Sequence, residues 1–142
     1  MGKIIAVTNQ KGGVGKTTTA VNVSAGIAML GHKVLLVDID PQGNATSGVG
    51  VDKRSVKRSS YSIMIEDVKA AETVVKTEFE NLDIIPSSMD LAAAEIELVE
   101  KEHREAKLKD ALALIKGNYE YIFIDCPPSL GLLTLNAFVC AD

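Results

Sequence analysis

A glycine-rich run that joins an apolar strand to a helix constrains this chain more than any other feature. Residues 3–8 are a short apolar run, and Lys11-Gly12-Gly13-Val14-Gly15-Lys16-Thr17-Thr18 follows. Ala20, Val23, Ile27 and Leu30 then recur at helical spacing over residues 17–30, with Gly31 placed as the stop. A buried strand feeding a helix through a tight loop returns to a parallel neighbour by a right-handed crossover. The rest of the chain keeps the alternation. Residues 34–37, 82–85 and 121–124 read as further buried strands, the third strand being stopped by Pro86. Residues 41–60 read as an irregular loop and 63–77 as two short helical stretches. Residues 90–116 read as two helices or one broken helix, and 129–141 as a last helix beginning after Pro127-Pro128. The expected fold class is α/β, three-layered, with a parallel sheet of about four strands and helices on both faces.

Composition narrows the function classes. The chain has 142 residues, 46% hydrophobic, which is enough to bury a core and too apolar for a disordered segment. No apolar stretch approaches the ~18 residues a membrane span needs. Two cysteines, Cys126 and Cys140, cannot staple a disulfide framework, and the N-terminus lacks the features of an export signal. The expected setting is cytoplasmic. The formal net charge of −4 conceals a split: residues 1–60 carry 8 Lys/Arg against 3 Asp/Glu, and residues 61–142 carry 7 against 16. A basic footprint for nucleic acid over the whole chain is therefore absent, while the cationic first part can hold an anion.

Three polar segments sit where strands end, which is where open parallel sheets bind ligands. Residues 10–18 follow the first strand, 38–46 the second and 125–129 the fourth. In the first, glycines let successive backbone N–H groups turn inward as an anion nest, and the helix start adds its positive dipole end. Lys16 is placed to reach β- and γ-phosphate oxygens, and the Thr17 hydroxyl to ligate Mg²⁺. The general pattern G-x-x-x-x-G-K-[ST] fails at its first position, which falls on Gln10, and a second lysine, Lys11, stands inside the loop. Asp38 and Asp40 lie two residues apart after a buried strand, so both can face the same crevice and hold metal or orient a water. Asp125 closes the run Tyr121-Ile122-Phe123-Ile124 and is positioned as a partner of the Mg²⁺ shell.

Together KGGVGKTT, the Asp38–Asn44 stretch DIDPQGN and the Ile122–Gly131 stretch IFIDCPPSLG resemble the deviant-Walker ATPases of the ParA/MinD group. The resemblance is nearest to the Soj-like chromosome-partitioning ParA proteins and extends to NLDIIPSS at Asn81–Ser88. It implies a P-loop NTPase-like fold and a Mg²⁺-dependent ATPase that forms a homodimer around two ATP molecules. It implies that Lys16 binds the β/γ-phosphates, Thr17 the Mg²⁺, and that Thr18 lies near the α-phosphate. The loop residues Gly12, Gly13, Val14 and Gly15 line the nucleotide, and Lys11 is the lysine that reaches the partner subunit's phosphates. Asp40 is implied to position the attacking water, with Asp38 and Asp125 supporting the metal shell. The ATP-bound dimer is implied to bind DNA non-specifically, to be nucleoid-associated, and to answer to a ParB-type partner protein. Family members continue past Asp142 with further strands beside the first, and there they carry adenine contacts and the DNA-binding surface. Residues 1–142 are accordingly expected to be the N-terminal part of one such domain.

Two other readings stay open at this point: a MinD-like cell-division regulator, and a nucleotide-binding fragment without turnover. Cys126 and Cys140 read as buried small hydrophobes rather than ligands of an iron–sulfur cluster. The cluster Lys53-Arg54-Ser55-Val56-Lys57-Arg58 reads as a solvated loop tip, His32 and His103 as surface residues, and Asn9 as an adjunct of the phosphate loop.

Overall fold

The computed structural model describes the backbone of residues 2–8 and 14–142, and side chains over 2–8 and 17–142. Asn9, Gln10, Lys11, Gly12 and Gly13 lie outside the described residues, as do the side chains of Val14 and Lys16. Strands β1 (Lys3–Val7), β2 (Val34–Asp38), β3 (Val75–Lys76), β4 (Leu82–Ile85) and β5 (Tyr121–Asp125) form one sheet. Its order is β1-β5-β2-β4-β3, parallel throughout except for the β3–β4 pair. The helices are α1 (Val14–Met29), α2 (Asn44–Gly48), α3 (Ser60–Ile65), α4 (Leu91–Glu97), α5 (Lys107–Ala113) and α6 (Leu132–Cys140).

Three layers follow from the two-residue period of the strands. Leu35, Val37, Ile85, Ile122 and Ile124 point to one face, where Met64, Leu91, Leu98, Leu108, Leu112 and Leu133 cover them. Their neighbours Val34, Leu36, Leu82, Ile84 and Phe123 point to the other, against Ala25 and Ala28 of α1 and Ala45 of α2. β2 is buried along its whole length, which explains why it reads as an unbroken apolar run rather than an alternation. Cys126 and Cys140 are buried and not joined by a disulfide, and both lie inside the first of these layers. Burial pushes the Cys140 thiol up to about 11, so it packs as a small hydrophobe. His32 is half-exposed beside Glu120 and His103 is exposed.

The structure departs from the sequence reading in places of short or local signal. The segment expected to be an irregular loop holds α2, a 3₁₀ turn at Lys53–Ser55 and the start of α3. α3 begins at Ser60 because Ser59 and Ser62 cap it reciprocally, each side chain bonding the other's end of the first turn. β3 is a fifth, antiparallel strand of two residues, too short to leave a periodicity. α1 reaches back to Val14, three residues before its expected start, while α6 begins only at Leu132. There the Thr134 hydroxyl donates to the Ser129 carbonyl, and Glu95 takes the Leu132 and Leu133 N–H groups, ending the turn after Gly131.

α1 lies on the sheet through small side chains, and one of them is polar. The Ser24 hydroxyl is fully buried and has no hydrogen-bond partner among the described residues. Burying an unpaired hydroxyl costs roughly 1–3 kcal/mol. Ser24→Ala is therefore expected to leave stability unchanged or raise it by up to about 1 kcal/mol in urea unfolding. A loss larger than that magnitude contradicts an unpartnered hydroxyl.

Candidate functional site

Sheet register fixes the centre of the site. Val7, Asp125 and Asp38 stand in one row at the carboxyl edge, Val7 paired with Asp125 and Asp125 with Asp38. The backbone continues that pairing past the strands, with Ile39 N–H donating to the Asp125 carbonyl and Cys126 N–H to that of Val7. α1 enters from the same edge, and the Thr17 hydroxyl donates to Asp125 Oδ2 at 3.1 Å. Thr17, Asp38 and Asp125 are thus brought together, as the sequence expects. Thr18 is exposed on the following position of α1. The backbone of Val14, Gly15 and Lys16 forms the first residues of α1, and Lys11, Gly12 and Gly13 lie outside the described residues.

Asp38 is fully buried and its carboxylate organises the loop that follows it. Oδ1 accepts the Asp40 N–H at 3.1 Å, and Oδ2 accepts the Thr46 N–H at 2.9 Å and the Thr46 hydroxyl at 2.8 Å. Asp40, 6% exposed, accepts the Gln42 N–H on Oδ1 at 3.0 Å, an Asx turn that tightens the segment Pro41–Gly43. Gly43 adopts φ 65°, and a Cβ there would meet the Lys53 side chain at 2.4 Å. Lys53 lies across this turn and donates from Nζ to the Gln42 carbonyl at 2.7 Å. One member of the basic cluster is therefore part of the loop's architecture, while Arg54 stays 92% exposed and Arg58 pairs with Glu72.

Electrostatically the row is under load. Burial, and then the neighbouring Asp125 charge, push the Asp38 carboxyl up to about 7, against the lowering effect of its three hydrogen bonds. Two buried carboxylates beside a threonine hydroxyl are a hard oxygen set that fits a small divalent cation. Among the described residues no three His, Cys, Asp or Glu groups cluster. A cation held by Thr17, Asp38 and Asp125 would have few protein oxygens and would be completed by ligand or water oxygens, as Mg²⁺ commonly is. Residues that sequence reasoning missed are Thr46, Ser60 and Ser87, all fully buried around this row. Within the sequence they look like ordinary loop polar residues. Their only signal is that Thr46 and Ser87 fall in or beside the segments that carry the family resemblance.

The raised Asp38 carboxyl has a pH consequence. Between about pH 4 and 7 the native state keeps a proton that the unfolded chain has released, so stability falls as pH rises through that window. Below it both states are protonated, and above it the loss levels off. Without divalent cation, Asp125→Asn is expected to gain melting temperature relative to the native sequence as pH goes from 5 to 8. The gain is partial, because burial is the larger cause. Parallel melting curves over that range contradict the coupling.

With this geometry in place, comparison with known proteins is informative. The AAA domain family AAA_31 matches residues 2–142. Soj, the sporulation initiation inhibitor protein of Bacillus subtilis, is 59% identical over 142 residues, covering 100% of this chain and 56% of Soj. A crystal structure of cobyrinic acid a,c-diamide synthase from Mycobacterium smegmatis with bound ADP and magnesium superposes with a TM-score of 0.94 at 42% identity. That match covers 99% of this chain and 57% of the synthase chain. A plasmid partition protein from Borrelia burgdorferi matches with a TM-score of 0.86 at 34% identity, covering 100% of this chain and 63% of its own. The chain spans about half the length of the curated relatives it matches. It belongs to the AAA_31 family of AAA domains, with the P-loop NTPase fold and on the ParA/Soj-like side of it.

Proposed function

We propose that this chain is the phosphate-handling part of a Mg²⁺-dependent ATPase switch that serves chromosome or plasmid partitioning in the cytoplasm, associated with the nucleoid. The observation that carries the reading is the strand-end row itself. Asp38 and Asp125 stand in register, Thr17 bonds Asp125, and Asp40 sits on a tight turn beside them. Its support from outside is the bound ADP and magnesium of the synthase that shares this fold, together with 59% identity to Soj.

Each residue has a defined task in this reading. The backbone of Gly12, Gly13, Val14 and Gly15 wraps the phosphates at the positive end of α1, and Thr18 flanks the α-phosphate. Lys16 neutralises the β/γ-phosphate oxygens. Thr17 and Asp125 hold Mg²⁺ on its protein side, and Asp38 balances its charge from within the sheet edge. Bound there, Mg²⁺ supplies charge neutralisation of the phosphates as the terminal phosphoryl group departs. Asp40 orients the water for in-line attack. Lys11 of each subunit stabilises the transferring charge of its partner's nucleotide; cations supplied in trans for phosphoryl transfer are worth roughly 10³–10⁵ in rate. Placing that cation across a dimer makes ATP occupancy a switch for assembly, and assembly the condition for non-specific DNA binding and for the response to a ParB-type partner. Among the described residues no helix is long and apolar enough to cross a membrane.

Two substitutions separate binding from turnover. Lys16→Ala is expected to weaken ATP binding at least a hundredfold in fluorescent-nucleotide titration. Asp40→Ala is expected to bind ATP within a few-fold of the native protein, to lose turnover, and to accumulate a nucleotide-bound dimer in sedimentation. Micromolar ATP affinity surviving in Lys16→Ala sinks the phosphate assignment. An Asp40→Ala protein that stays monomeric with ATP contradicts the switch.

A further inference from the structure

Four residues close a ring of hydrogen bonds around the turn that carries Asp40. The Asp40 N–H donates to Asp38 Oδ1 at 3.1 Å, and Asp38 Oδ2 receives the Thr46 hydroxyl at 2.8 Å. Thr46 Oγ1 in turn accepts the Ser87 N–H at 3.0 Å, and the Ser87 hydroxyl donates to the Asp40 carbonyl at 2.5 Å. Thr46 and Ser87 are both 0% exposed. A second stitch runs alongside: the Ser60 hydroxyl donates to the Asp38 carbonyl at 2.7 Å, and the Ser60 N–H to the Pro86 carbonyl at 2.9 Å.

With Asp38 ionised, the chemistry of these groups allows the ring only one direction. A backbone N–H can only donate, so Ser87 takes a lone pair of the Thr46 oxygen and leaves the Thr46 proton for Asp38. A carbonyl can only accept, so the Ser87 proton is committed to Asp40. The two peptide groups on either side of the Asp40 Cα are therefore both pinned, one by Asp38 and the other by Ser87. With both peptide planes fixed, the direction of the Asp40 side chain from the backbone is fixed as well. None of the four contacts is made by the side chain of Asp40, whose Oδ1 instead accepts the Gln42 N–H, so the ring acts on its backbone.

Resting on the ATPase reading above, we propose that Thr46 and Ser87 are positioning residues for Asp40, linking the end of β4 to the geometry of the attacking water. They act on turnover and not on nucleotide affinity, because the phosphates are held by the segment after β1. A displacement of about 1 Å at a reacting centre costs up to about a hundredfold in rate, and this sets the scale. Because the two residues belong to one ring, breaking it at either point has the same consequence, and breaking it at both adds little.

The test compares Thr46→Val, which keeps the shape and removes the hydroxyl, with Ser87→Ala, Thr46→Ser and the double variant Thr46→Val/Ser87→Ala. Turnover of ATP, affinity for a fluorescent ATP analogue, and hydrogen–deuterium exchange over residues 38–46 are measured on each. Thr46→Val and Ser87→Ala are expected to lower kcat ten- to a hundredfold with nucleotide Kd within threefold. Exchange over 38–46 should accelerate while that of β5 stays unchanged. Thr46→Ser should recover at least half of the turnover, and the double variant should fall within about threefold of the slower single one. Native turnover with both single variants as fast as the native protein overturns the positioning role and leaves the ATPase reading intact. Absent turnover in the native protein overturns the ATPase reading, and the catalytic role with it. Exchange that stays native in both variants overturns the ring itself, whatever the turnover.

Discussion

Asp38 and Asp125 end two central strands in the same register, and the sheet buries both completely. Two carboxylates in that position repel, and neither can be relieved by water. The chain meets the difficulty in part with hydrogen bonds. Thr46 gives Asp38 two donors, Asp40 gives it a third, and Thr17 gives one to Asp125. The residual load raises the Asp38 carboxyl to about 7, and a divalent cation bound as proposed would relieve it. Stability and the proposed function meet at this row, since the contacts that make two buried charges tolerable also shape the loop that holds Asp40.

The architecture around the row divides by layer. On the face carrying α1 and α2 the helices contribute small side chains, Ala25, Ala28 and Ala45, against Leu36, Ile84 and Phe123 of the strands. The opposite face carries the bulk of the core, with leucines of α4 and α5 and Leu133 of α6 packed on alternate residues of β2 and β5. The segments leaving the strand ends are tied down from outside the row as well. Lys53 closes over the turn at Gly43, and Glu95 of α4 caps the start of α6 just after the Asp125 loop. The two ties span 11 and 37 residues of sequence.

That distance explains what was legible in the sequence and what was not. The four main strands, the helix after the glycine-rich run and the clustering of Thr17, Asp38 and Asp125 could all be read, because each rests on a local pattern or on the rule that parallel sheets gather function at strand ends. Gly31, with φ 98°, ends the first helix as its position suggests. β3, α2 and the caps at Ser59 and Gly131 escaped, since two to five residues carry too little periodicity to outweigh a polar composition. Thr46 and Ser87 escaped for another reason. Their partners lie 8 and 47 residues away, and no one-dimensional spacing encodes a hydroxyl turned toward a buried carboxylate or toward a main-chain carbonyl of another loop.

The proposed switch requires the buried carboxylate row to receive a cation together with nucleotide. Calorimetric titration with ATP near pH 7, with and without Mg²⁺ and in buffers of different ionisation enthalpy, tests it directly. Binding is expected to be strongly strengthened by Mg²⁺ and accompanied by release of a fraction of a proton to the buffer, as the incoming charge displaces it from the raised Asp38 carboxyl. ATP binding of equal strength with and without Mg²⁺, and with no proton released, would contradict it.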